Sequence, residues 1–146
     1  MSLTDILIVV LLILAVAAVA IPRITHSRIA ADESAALAGI RDIYAADQIY
    51  AAMHPDVGFA PDLASLTAPL KDGKPLDTDL ASGRKNGYTF VYTPGEKVNG
   101  SVRSFSLAAV PDVVGKTGQR RFYTSESGEV RYNASGPADA GSPVIQ

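Results

Sequence analysis

The chain has 146 residues, 47% of them hydrophobic and 19% charged, with a net charge of −2 and no cysteine. That length holds one domain at most, and an apolar N-terminus leaves a soluble remainder of roughly 90 residues with a modest core. Disulfides, thiolate catalysis and zinc–thiolate sites are excluded together, and the weak negative charge argues against a nucleic-acid-binding surface.

The chain opens MSLTDILIVVLLILAVAAVAIPRI, and from Ile6 to Ile21 sixteen consecutive residues are apolar. At about 1.5 Å per residue the run covers roughly 24 Å as a helix, near the lower limit for crossing a hydrocarbon core of about 30 Å. A secretory signal is one reading, since Ala18-Val19-Ala20 imitates a cleavage site. Against it, Asp5 precedes the run with no basic residue, and Pro22 follows. A plain membrane anchor is the second reading. The first basic residues, Arg23 and Arg28, lie after the run, so the positive-inside rule places the remainder in the cytoplasm.

The third reading comes from the residues beyond the run. Ile29, Ala36, Ile40, Ile43, Tyr50 and Met53 recur at helical spacing, separated by Arg28, Asp32, Glu33, Arg41, Asp42 and Asp47. Nothing after Pro22 breaks this pattern until His54-Pro55, where proline pushes the preceding residue out of helical conformation. Residues 2–53 therefore read as one helix of roughly 75–80 Å, kinked at Pro22. One half is uniformly apolar and the other amphipathic. A small domain cannot bury such a rod alone, and copies of the chain are expected to do so.

Residues 54–87 are rich in Pro, Gly and Asp and read as a connecting region. Within it Leu63, Leu66 and Leu70 suggest one short helical turn, and Leu76 and Leu80 another ending near Gly83. These leucines are expected to tie the region onto the long helix. Strand candidates follow. Tyr88, Phe90 and Tyr92 alternate with Thr89, Val91 and Thr93, and the stretch 102–110 puts Phe105, Leu107 and Ala109 on one face. Residues 120–124 and 129–133 flank the turn Ser125-Glu126-Ser127-Gly128. The expected fold is α+β: a long helix against an antiparallel sheet of about four strands over residues 88–133, with an irregular tail at 134–146.

Chemistry-bearing clusters are sparse. His26 and His54 are too far apart on one helix to share a metal, about 40 Å, and both read as solvated. Asp77, Asp79, Glu126 and Glu129 could gather calcium, although no EF-hand-like loop is present. Asn99-Gly100-Ser101 and Asn133-Ala134-Ser135 are formal sequons. Arg120, Arg121 and Arg131 read as a solvated or intersubunit strand face. With no nucleophile–base pair, phosphate loop or flavin motif, neither an enzyme nor a cofactor is expected.

Asp5 has two readings. Ser2 as N-cap with Asp5 three residues on forms a variant capping box, and an acid in the first turn suits the helix dipole. These effects are worth about 0.3–1 kcal/mol each. An unpaired Asp deep in a membrane helix costs about 2.5–3.5 kcal/mol, less near the interface, so capping alone does not clearly offset it where the helix end is buried.

The register of Asp5, the apolar run and Pro22, with Gly87–Pro94, Gly118–Thr124 and Ser127–Arg131 downstream, resembles the type IV pilin superfamily, in its cysteine-free form. The family usually has Phe first and Glu fifth, where this chain has Met1 and Asp5. The resemblance implies a mature chain whose Met1 is exposed by a leader peptidase with N-methylating activity. It implies that Asp5 pairs with the Met1 amine of a neighbouring subunit and that Pro22 kinks the helix. In that reading residues 1–22 form the membrane or filament-core segment and 23–53 the amphipathic half of the helix. The implied function is a major pilin, a structural subunit of a helical filament that sits in the inner membrane before assembly and at the cell surface afterwards. Prepilin peptidase, an assembly platform and an ATPase are the implied partners. The alternatives are a pseudopilin of a type II secretion system and a monomeric membrane-anchored binding domain.

Overall fold

The structure is a computed structural model that describes residues 1–68 and 73–146. Helix α1 spans Leu3–Met53 without interruption. Its end follows from the sequence: His54 leaves helical geometry (φ −126°, ψ 65°) ahead of Pro55 while its N–H still donates to the Tyr50 carbonyl at 3.0 Å. Of the residues expected on its buried stripe, Ile29, Ala36, Ile40 and Ile43 are buried, Tyr50 is half-buried and Met53, at the end of the helix, is exposed.

The connecting region supplies a 3-10 turn, Ala64–Thr67, and the short helix α2, Thr78–Ala81. Leu63, Leu66, Leu76 and Leu80 are buried in one cluster with Ile40 and Ile43, so these leucines do bind the region to α1. Leu70 lies outside the described residues.

The sheet is larger than the four strands expected. Strands β1 (Arg84–Lys85), β2 (Tyr88–Pro94), β5 (Phe105–Pro111), β6 (Arg121–Ser125) and β7 (Arg131–Asn133) form one antiparallel sheet in the order β1-β2-β5-β6-β7. A separate ribbon pairs β3 (Lys97–Val98) with β4 (Ser101–Val102). Both additions rest on Asn-Gly turns with left-handed backbone: Asn86 and Gly87 at φ 51° and 74°, and Asn99 and Gly100 at φ 52° and 85°. That conformation matches the twist of a two-residue hairpin. The expected strand over 102–110 is accordingly split, with Val102 in the ribbon and Phe105–Pro111 in the main sheet.

Alternation sets the buried face of the sheet. Tyr88 and Phe90 of β2, Phe105, Leu107 and Ala109 of β5, and Phe122 of β6 point at α1 and join its buried residues in a single core. Gly39 lets the two layers approach, since a Cβ there would lie 3.0 Å from both the Phe90 ring and Leu80. The tail from Ala134 onward has no regular element. It nevertheless folds back along β7, where Ile145 N–H donates to the Val130 carbonyl and Tyr132 N–H to that of Pro143.

Candidate functional site

The first half of α1 projects away from the core. From Met1 to Arg28 every residue is exposed except Ala17, which is half-buried, and the first buried residue is Ile29. Leu3, Leu7, Leu11, Val16, Ile21 and Ile24 are each more than 60% exposed, although water is a poor solvent for such side chains. A shallow open groove of about 600 Å³ runs along this surface between Leu12, Val16, Val19, Ala20 and Ile24. The segment is long and apolar enough to cross a membrane.

At its start, Ser2 adopts extended geometry (φ −82°, ψ 161°) and caps the helix. Ser2 N–H and Oγ–H donate to Asp5 Oδ2 at 2.8 and 2.9 Å, and Asp5 N–H donates to Ser2 Oγ at 3.3 Å. The capping box read from the sequence is therefore formed within the chain, and Oδ1 of Asp5 stands outside these contacts. The helix continues through Pro22, which lacks an N–H to complete the ladder. One turn on, Thr25 Oγ1 adds a second donor to the Ile21 carbonyl at 3.1 Å. Arg23, His26 and Arg28 are exposed just beyond the apolar run.

The second half of α1 is fixed to the sheet through two buried acids that the sequence reading assigned to its polar face. Glu33 is only 7% exposed; its Oε1 accepts the N–H groups of Gln119 and Arg120 at 2.9 and 3.0 Å, and its Oε2 takes Arg120 Nε–H at 2.9 Å. Burial pushes its carboxyl up, but these N–H groups and the guanidinium together hold it below the usual carboxylate range. Asp47 is fully buried and binds Ala60 and Tyr92. Position carried the missing signal. Glu33 lies three residues before Ala36 and Asp47 four after Ile43, which puts both on the apolar stripe.

Arg120 is thus an intrachain tie and not a free strand-face cation; its guanidinium also lies over the rings of Phe122 and Tyr132. Arg131 pairs with Glu129 at 2.7 Å, and Arg121 reaches the Gly136 carbonyl at 3.5 Å. The four acids that could have gathered calcium, Asp77, Asp79, Glu126 and Glu129, do not converge. Asp77 caps α2 and takes Lys85 at 3.0 Å, Glu126 accepts the Phe105 N–H, and Glu129 is held by Arg131. Among the described residues no three acidic or histidine side chains form a metal site. His54 is half-buried, stacked on Tyr50 at 4.3 Å, and so is less solvated than the sequence suggested. The Asn133 sequon is structurally engaged, with Nδ2 donating to the Pro137 carbonyl and Oδ1 accepting from Ser135 and Gly136.

Compared with protein-family models, with curated proteins and with solved structures, the chain matches none.

Proposed function

We propose that the chain is a structural subunit of a type IV pilus-like helical filament, held in the inner membrane by its N-terminal helix before assembly and displayed at the cell surface afterwards. One observation carries the reading: α1 is a single helix whose amphipathic half is packed in the head and whose apolar half, among the described residues, is left exposed. The same apolar side chains suit two environments in succession. Lipid covers them in the monomer, and the helices of other copies cover them in a filament.

Asp5 distinguishes the two environments. The capping box uses Oδ2, which leaves Oδ1 to accept the α-amine that processing would leave at Met1 of a neighbour. Such a pair is charge-assisted and directional. It sets register along the fibre, while apolar packing supplies most of the association energy. Pro22 supplies a weak point in the helical ladder where the core segment can adjust to its neighbours.

The test is electron microscopy of the native cells and of an Asp5→Ala strain, with the mass and N-terminal sequence of the purified protein. Filaments containing this chain in the parent, and only membrane-inserted monomer in the variant, are expected. Normal filaments from Asp5→Ala would remove Asp5 from assembly, and a monomeric native protein would remove the filament itself.

A further inference from the structure

Three elements meet at Asp47. Its Oδ1 accepts the N–H of Ala60, in the segment leaving α1, at 2.8 Å. The Tyr92 hydroxyl, from β2, lies 2.7 Å from Asp47 Oδ2 and 2.8 Å from the Ala60 carbonyl oxygen. Besides Asp47, the ionisable groups whose charge acts on Tyr92 include Tyr50 from α1 and Asp62 from the connecting region; His54 stacks on Tyr50. Among the described residues no lysine or arginine forms an ion pair with Asp47.

Counting protons favours one state of this site. A tyrosine hydroxyl carries one proton, and a carbonyl oxygen or an ionised carboxylate can only accept. With Asp47 ionised, the single Tyr92 proton would have to serve two acceptors at once, and a net charge would stay buried beside them. With Asp47 protonated, its O–H donates to Tyr92, Tyr92 donates to the Ala60 carbonyl, and the Ala60 N–H returns to Oδ1. Every contact then holds one proton, and the ring closes with no charge in a fully buried place.

We infer that Asp47 is a neutral carboxylic acid in the folded chain, and that its proton latches the segment after α1 to both the helix and the sheet. Burial pushes the Asp47 carboxyl above the usual range, against the opposing bond that the Ala60 N–H donates to it. The latch is therefore sensitive to pH. Because the folded state holds this proton more tightly than the unfolded chain, stability falls as pH rises from about 4 through the raised folded pKa. Across that window each pH unit lowers the folding constant by up to about tenfold. The inference is independent of whether the chain forms filaments.

The test uses the full chain in detergent micelles, with carboxyl-¹³C aspartate followed by NMR across pH. Asp47 is expected to titrate above the other aspartates, and the Ala60 amide, corrected for intrinsic exchange, to lose protection through the same transition. Asp47→Asn preserves the pattern in neutral form, with Nδ2–H donating to Tyr92 and Oδ1 accepting from Ala60. It should fold, retain the Ala60 protection and show a flat response over the window. An Asp47 carboxyl titrating at or below the usual range would overturn the inference without recourse to any variant. So would an Asp47→Asn protein with the wild-type pH response.

Discussion

The two halves of α1 share one backbone and almost opposite surroundings. Residues 29–53 bury Ala36, Ile40, Ile43 and Ala46 in one core with the sheet and the connecting region, whereas among the described residues nearly all the apolar side chains from Leu3 to Ile24 are exposed. The packed half obtains its specificity from alternation of large apolar groups with Gly39 and from two acids that fix its rotation. The bare half is apolar around its whole circumference, so it specifies an environment more than a particular contact. Hydrophobicity alone does not place a residue in a core; a complementary surface has to exist in the same chain or in another one.

Truncating one side chain in each half draws this contrast most sharply. Ile43 is completely buried, and Ile43→Ala is expected to cost the head about 2–5 kcal/mol through lost burial and the cavity left behind. Leu12, 60% exposed, should leave the unfolding free energy of the detergent-solubilised head unchanged within about 0.5 kcal/mol when replaced by Ala. Denaturant titration followed by tyrosine fluorescence measures both. A substantial loss of head stability from Leu12→Ala would mean that the apolar half folds back on the head, and the contrast between the halves would disappear.

The next effect concerns the tie nearest the boundary between the halves. Glu33→Ala removes three hydrogen bonds at the point where α1 enters the head and strands the N–H groups of Gln119 and Arg120. A loss of about 1.5–3 kcal/mol is expected, moderated because the Arg120 side chain is 39% exposed. The accompanying pH dependence has the opposite sign to that of Asp47. The folded pKa of Glu33 is depressed, so its contribution is present above the usual glutamate range, about pH 4.3, and is lost as pH falls through the folded value. Unfolding curves taken downward from neutral pH should show this loss in the parent and a diminished one in Glu33→Gln.

Much of this architecture is legible in the sequence because it rests on periodicity. The spacing of Ile29, Ala36, Ile40 and Ile43 defines the buried stripe, and His54-Pro55 its end; alternation at Tyr88, Phe90 and Tyr92 defines the sheet face. Two kinds of feature escape that reading. Glu33 and Asp47 were sorted by polarity, although their position on the helix puts them on the stripe; their partners, at Gln119, Arg120, Ala60 and Tyr92, are distant in sequence and have no local signature. Strand β1 is two charged residues long, too short and too polar to alternate, and only the following Asn86-Gly87 marks it. At the bare end the Ser2–Asp5 box was legible because capping is local, while the surface that covers the apolar run is not encoded in nearby residues.

The smallest effect separates the capping role of Asp5 from the proposed contact with a neighbouring copy. Ser2→Ala removes the Oγ contacts, both the donor to Asp5 Oδ2 and the acceptor for Asp5 N–H, but leaves the backbone N–H of Ser2 and the whole carboxylate in place. The loss of a serine cap costs about 0.5–2 kcal/mol, confined to the first turn of the bare half. Faster exchange of the first amides is expected, with no change in head stability. If the acid serves only to cap the helix, Ser2→Ala and Asp5→Ala should impair filaments to a similar degree, since each dismantles the same box. If Asp5 also meets the amine of a neighbouring copy, Ser2→Ala should assemble nearly as the parent does, because the carboxylate persists, while Asp5→Ala should not assemble. Filament yield from the two strains, normalised to membrane-inserted subunit, therefore assigns Asp5 to the helix alone or to the contact between copies.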